Sequence, residues 1–496
     1  MSDSIHVEEK AEIDETRASL DEGDPDAIFG GLEARLVLER KLLWKIDLRI
    51  LGVLVPIYIL NYVDRNNAGA ARLRGFESDL HLKGQEFATL LSILYVGYII
   101  MQIPSNMFLN YIGRPSLYLP GCMAIWGVSL FHAEWENIDD TILPDDIVSD
   151  RHHEQVWIYF FDHAAFFPGA LFLLSKWYKR EEIGRRTAIL YCGNLISNAF
   201  GSLMASGILS GMQGTLGHAA WRWLFYIEGS LTVFVAICAM FILPDFPTTT
   251  RWLTPLERKL AVQRMKEDAG VGDQGETEVG GQASGLILAL SDWRVWWMSL
   301  AMTAQVVSLS FNAYFPTLSA TMGFNNTVTL LLCAPPFAFA SLAAFFLSRH
   351  SDQTKERFWH VAASFGLGII GFIIAIATMN TAARYVSLFL MAQSYAGFVV
   401  VYTWISNSFP RPPSKRAVAL ALMNAFSQLG NVAGSYVFPT MWGPTYRNSY
   451  AICIACAGLG IIMCWVFKLS LVRLNEKIEK EEKEKGIREK GFRYIT

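Results

Sequence analysis

Long apolar runs recur along this chain, separated by shorter polar connections. One set lies at about 48–66, 86–108, 115–131, 156–175, 186–210 and 221–243. A second lies at about 293–318, 327–348, 358–378, 383–404, 415–438 and 449–470. A hydrocarbon core about 30 Å thick needs roughly 20 apolar residues per helix. The pattern therefore predicts an all-α polytopic membrane protein with about 12 transmembrane helices in two six-helix bundles. The fourth run is the weakest of the set.

Composition sharpens this picture. Of 496 residues, 52% are hydrophobic and 18% charged, too apolar for a soluble domain of this length. The charges gather in a tail over 1–47, a loop over 244–292 and a tail over 471–496. These segments frame an N-terminal bundle (48–243) and a C-terminal bundle (293–470). The loop carries the Gly-rich run VGDQGETEVGGQASG, which reads as a flexible linker, preceded by TPLERKLAVQRMKED, which reads as a short surface helix. The acidic start does not read as a secretory signal.

Lys and Arg set the orientation. They cluster in the first tail, near 176–186, in the central loop, near 349–357, near 411–416 and after 470, and are sparse in the alternate loops. Both termini are accordingly expected in the cytoplasm. The halves also resemble each other. Setting 185–201 on 415–431 places Arg186 on Arg416, Leu190 on Leu420, Asn194 on Asn424, Ser197 on Ser427 and Asn198 on Gln428. Equal place and orientation imply a parallel repeat, as in two-bundle transporters.

Polar groups inside a membrane helix are costly and usually face a cavity or a partner. The first span holds Asn61, Tyr62, Asp64, Arg65 and Asn66. Here a carboxylate can exchange a proton and a guanidinium can grip a substrate carboxylate with two hydrogen bonds. An internal ion pair, or snorkelling to the interface, is the other reading. Asn424, Gln428 and Asn431 share one helix face, suited to orienting a solute or to joining helices. Gln393, Ser394, Tyr395 and Tyr402, with Gln305, Asn312 and Tyr314, are further candidates for a path.

Other classes are excluded. No basic stripe interleaved with aromatics suggests nucleic acid, and no GxxxxGK[ST] motif supports ATP-driven transport. The group Asp150, His152, His153 and Glu154 lacks regular metal-ligand spacing and reads as a solvated loop. All seven cysteines lie in or beside apolar runs and read as packing thiols. No nucleophile–base pair in the spans indicates an enzyme.

With these residues in view, the chain resembles the major facilitator superfamily over about 40–470. More narrowly, it resembles fungal anion:cation symporters related to allantoate, nicotinate and pantothenate permeases. The resemblance is carried by YVDRNNAGAARL, AAFFPGALFLLSKWYKREEIGRRTAILY, WRWLFYIEGS, FILPDFPTTTRWLTPLER and LMNAFSQLGNVAGSYVFP. It implies proton-coupled uptake of a small organic anion by a monomer in the plasma membrane, with no cofactor. Asp64 would carry the proton and Arg65 would anchor the anion. On the reading of the residues themselves, Tyr62, Asn66, Asn194, Asn198, Tyr314, Gln393, Tyr395, Asn424, Gln428 and Asn431 would form the rest of the binding path. The family's gating motif leaves Arg114 after the second span, with Asn110 where an acidic residue is usual; after the eighth it leaves Asp352 and Arg357.

One departure stands out. Aligning on FFPG puts His163 where relatives carry a proton-coupling Glu, and Val156 where they carry a substrate Arg. Asp162 or His163 would have to replace the lost carboxylate. The charged stretch over 132–155 reads as foreign to the fold, a retained intron or an incorrect gene model. A spliced message that encodes it unchanged would refute that reading. If the stretch is genuine, a transport-inactive receptor is the alternative function.

Overall fold

The computed structural model describes residues 27–135, 166, 169–270, 281–409, 413–484 and 493–496. In the first half, α1 spans Leu32–Ala71, α2 Glu86–Ile112 and α3 Pro115–Trp135. Helical residues 169–177 form α4, followed by α5 (Arg180–Gly211) and α6 (Ala220–Ile242). In the second half, α7 is Trp293–Ser308, continued by a 3-10 stretch (Leu309–Tyr314) and Phe315–Ala320. Then follow α8 (Asn326–Thr354), α9 (Phe358–Ala377), α10 in two pieces (Thr381–Ala392 and Ser394–Ser408), α11 (Pro413–Gly434) and α12 (Arg447–Glu484). This is the expected all-helical arrangement. Asp162, His163 and Val156 lie outside the described residues, as does 136–155.

Local chemistry sets the helix ends. Gly113 ends α2 with a positive φ of 65°, which costs glycine nothing sterically. Asn325 and Asn380 accept the Val328 and Ala383 amides at 2.8 and 3.2 Å, capping α8 and α10. Large apolar side chains such as Phe234, Phe241, Phe345, Phe346 and Ile462 remain exposed on the outer faces. A surface of that kind suits lipid, and the helices satisfy their own backbone groups, as a bilayer requires.

The first helix begins at Leu32, well before the expected 48, because its charged first turns have partners. Arg35 and Lys45 pair with Glu267 and Glu257 of the surface helix Pro255–Gly270. From that helix the fully buried Arg264 reaches Glu39 at 2.5 Å and Glu182 of α5 at 2.6 Å. Lys179 also holds Glu39 at 2.9 Å, and Arg186 holds Asp47 at 2.7 Å. A second surface helix, Gly281–Leu290, occupies part of the stretch expected to be linker, because its apolar end packs on α11.

The two halves meet along α5 with α8 and α2 with α11. On the face away from the surface helices, polar bonds join them. Arg72 bonds Thr440 at 3.0 Å, Asn326 bonds the Leu73 carbonyl at 2.6 Å, and Ser206 bonds the Thr327 carbonyl at 3.0 Å. That face is closed, and a cavity lies behind it.

Candidate functional site

The cavity sits between the halves, enclosed by side chains from both. From the first half, Tyr58, Tyr62, Arg65 and Asn66 of α1 line it with Tyr95 and Tyr98 of α2 and Asn194 of α5. From the second come Ser310 and Asn312 of α7, Tyr395, Phe398 and Tyr402 of α10, and Asn424, Gln428 and Asn431 of α11.

Helical period explains the sets. Tyr58 and Tyr62, and Asn424, Gln428 and Asn431, are three or four residues apart and so share a face. The pseudo-repeat reaches down to individual bonds. Ser197 donates to the Asn194 carbonyl at 2.6 Å, and Ser427 donates to the Asn424 carbonyl at 2.7 Å. Each half thus turns one asparagine into the cavity from the same turn of its fifth helix.

Among the described residues lining the cavity, Arg65 is the one charged side chain. Its guanidinium lies 5.2 Å from the ring centres of both Tyr62 and Tyr98, so aromatic faces position the cation. Across the cavity Tyr402 donates to Asn424 Oδ1 at 2.7 Å, and Asn431 donates to Gln428 Oε1 at 2.8 Å. The site offers one cation, several amides and a ring of phenols, a set that can hold one negative charge and a polar body.

Of the expected binding residues, Tyr62, Arg65, Asn66, Asn194, Tyr395, Asn424, Gln428 and Asn431 lie together on this wall. Three stand elsewhere. Asn198 is one layer behind, accepting from Asn66 at 3.0 Å and donating to the Asn194 carbonyl at 2.9 Å; it fixes wall residues. Tyr314 turns away because α7 tightens into a 3-10 stretch before it. Its hydroxyl donates to the Ser435 carbonyl and its ring stacks on Phe438. Gln393 sits at the break in α10, where its amide donates to the Ser364 carbonyl at 2.7 Å.

Asp64 is buried but lies off the cavity wall. Its Oδ2 accepts from Trp126 Nε1 at 3.0 Å and from Thr232 Oγ1 at 3.1 Å. Close by is Glu228 of α6, fully buried and bonded by Asn67, a residue the sequence reading passed over. Its signal was present: it is the one acidic residue in the apolar segment Ala220–Ile242. Tyr58, Tyr95, Tyr98 and Phe398 were also missed, because aromatic residues in an apolar run read as packing.

Among the gating residues, Arg357 is buried and holds Asp352 at 2.6 Å and Ser351 at 3.0 Å. Its backbone amide donates to the Thr496 carbonyl at 2.8 Å. Arg114 is exposed.

A family model described as Major Facilitator Superfamily matches residues 54–435. The chain is 30% identical over 453 residues to the MFS-type transporter cnsO of Penicillium expansum, covering 88% of this chain and 84% of that one. It is 28% identical over 408 residues to a putative tartrate transporter of Agrobacterium vitis, covering 82% and 88%. Its fold matches that of the proton:xylose symporter XylE bound to 6-bromo-6-deoxy-D-glucose. The TM-score is 0.64 at 17% identity, covering 86% of this chain and 96% of that one. Family and fold are those of integral membrane carriers of small molecules, not of enzymes.

Proposed function

We propose that this chain, which belongs to the Major Facilitator Superfamily, takes up a small organic anion together with protons by alternating access. The observation that carries the anion is Arg65, the one charge on the described cavity wall. In a site of low dielectric, a fixed cation disfavours cationic solutes and favours one carboxylate. Tyr62 and Tyr98 hold the guanidinium, and Asn194, Asn424, Gln428 and Asn431 supply donors and acceptors for the rest of the solute. The similarity to a tartrate transporter supports a small carboxylate. The motif resemblance supports the branch that carries nicotinate, allantoate and pantothenate.

Asp64 carries the coupled proton in this reading, in a bundle where a lone ionised carboxylate is costly. Asp162 and His163 are further candidates on sequence grounds. The membrane is the plasma membrane, both termini are cytoplasmic, and the monomer is the working unit. The closed face then points outward, and its opening loads the site.

The test is uptake of labelled nicotinate, allantoate, pantothenate and tartrate by cells lacking their own carriers, each competed by the others. One anion should show saturable uptake that Arg65→Ala abolishes. Uptake unchanged by Arg65→Ala would remove the anchor and with it the substrate class.

A further inference from the structure

The first helix has two polar faces. One carries Tyr62, Arg65 and Asn66 to the cavity. The other carries Asn61, Asp64 and Asn67, spaced by three, into the interior of the first bundle, where all three are buried. There Asp64 accepts from Thr232 of α6, and one turn along the same α1–α6 contact Asn67 bonds Glu228, so the two carboxyl groups occupy neighbouring turns of one interface. Both residues are almost entirely inaccessible, at 2% and 0% exposure.

The hydrogen bonds that the described residues give these carboxylates come from uncharged donors: Trp126 and Thr232 to Asp64, and Asn67 to Glu228. Each carboxyl keeps one buried oxygen with no hydrogen-bond partner among the described residues, Asp64 Oδ1 and Glu228 Oε1. Of the cations on the helices packed here, Arg65 stacks over Tyr62 and Tyr98, and Arg222 over Trp221. Other titratable groups on these elements include Tyr58 and Tyr62 of α1, Tyr118, Cys122, His132 and Glu134 of α3, Tyr191 and Cys192 of α5, and Tyr226 and Cys238 of α6, with the charged first turns of α1 and α5 at their far ends. The wall around the pair is tight. A Cβ added at Gly127 of α3 would lie 2.8 Å from Val233 Cγ2 and 3.2 Å from the Gly229 carbonyl.

Two neighbouring carboxylates in a dry interior cannot both stay ionised, because desolvation and mutual repulsion act in the same direction. A proton on either one relieves the desolvation, and carboxyl groups that interact strongly take up and release protons as a pair. The empty oxygens are where a proton can sit. The link to the cavity is the helix itself: Asn66, between Arg65 and Asn67 on α1, lines the cavity and is bonded to Asn198 of α5. A shift of α1 on protonation would therefore be felt where the solute binds.

We propose that Asp64 and Glu228 form one two-carboxylate proton site behind the cavity wall, and that loading and unloading this site supplies the proton that drives uptake. This deepens the transport reading above and rests on it for its role in coupling. The step is a proton transfer alone: a proton from water binds a carboxyl oxygen of the pair and leaves to water on the other side.

Two measurements test it. In purified full-length protein in lipid, infrared difference spectra across a pH titration should show a protonated-carboxyl carbonyl band. Glu228→Gln and Asp64→Asn should each remove or displace that band, while Glu228→Asp should keep one with a shifted midpoint, which guards against loss through misfolding. A band unaffected by all three changes would overturn the proposal, whether or not a substrate is known. In uptake, Glu228→Gln should still exchange labelled for unlabelled solute yet no longer accumulate it uphill in a proton gradient. Wild-type accumulation by Glu228→Gln, or accumulation driven by sodium and indifferent to the proton gradient, would also overturn it. If no anion moves in the wild type but the band behaves as stated, the transport reading fails while the proton site stands.

Discussion

The hydroxyls of Thr89 on α2 and Tyr436 after α11 lie 3.1 Å apart and tie the two halves together on the closed face. Ser92 reaches the same phenol at 3.3 Å. Beside them Gly69 of α1 packs on the second half so closely that a Cβ would fall 2.8 Å from the Ala313 carbonyl oxygen. Backbone cannot yield as a flexible side chain can, so a methyl group there must part the halves. Overpacking of this kind costs about 1–3 kcal/mol. Gly69→Ala should therefore populate the opposite opening, and Tyr436→Phe should do so more weakly. Spin labels at the exposed Leu216 and Met441 would report a longer distance in Gly69→Ala. An unchanged distance would mean that this contact does not set the closed state.

Arg65→Lys separates charge from geometry. Lysine keeps the cation but loses the planar fork and its stacking on Tyr62 and Tyr98. Uptake should survive with affinity lowered about tenfold, the loss of roughly one strong interaction. Arg65→Ala should leave none. Equal activity of the lysine variant would mean that only the field of the cation matters.

The surface-helix clasp should govern stability and its dependence on acid. Burial raises the Glu39 carboxyl, but Lys179 and Arg264 more than offset this and hold it below the ordinary carboxylate range. Glu257 is likewise lowered: Lys45 and Thr254 outweigh its burial. A lowered folded-state pKa means stability that is full above the unfolded carboxylate value and is lost as pH falls through the folded one. The clasp should hold at neutral pH and release only in acid below the usual carboxylate range. Arg264→Met leaves two carboxylates short of their buried partner and should cost about 3–5 kcal/mol. Thermal unfolding in detergent would show it as a lowered midpoint with an altered acid limb.

Gln393 and Tyr314 should behave as structural residues. Gln393→Met removes the bond to the Ser364 carbonyl, and Tyr314→Phe removes the one to Ser435. Each should cost about 0.5–1.5 kcal/mol of stability by removing one buried hydrogen bond, with apparent substrate affinity unchanged. A selective loss of affinity would return either residue to the binding wall.

These two residues show where the sequence stops being informative. Asn424, Gln428 and Asn431 were legible as one face because α11 keeps its period through them. Tyr314 was not, since Leu309–Tyr314 tightens to three residues per turn and rotates everything after it. Gln393 stands at a helix break that no proline or glycine marks. The start of α1 at Leu32 was hidden because its charges are satisfied by a helix more than 200 residues away along the chain. Glu228 was legible by the rule that made Asp64 a candidate, but its partner Asn67 appears only when α1 and α6 are side by side. The repeat between 185–201 and 415–431 was readable at Asn194 and Asn424, because both halves need the same turn of helix at the same depth.

The central claim is that a proton gradient drives a carboxylate through the cavity that Arg65 enters. It is tested most directly in proteoliposomes of the purified chain, loaded at neutral pH and diluted into acid or neutral medium with a labelled anion selected in the uptake screen. The account predicts transient accumulation only when the outside is acid, absent in Arg65→Ala and collapsed by a protonophore. Accumulation of equal extent with and without the gradient, or retained in Arg65→Ala, would contradict it.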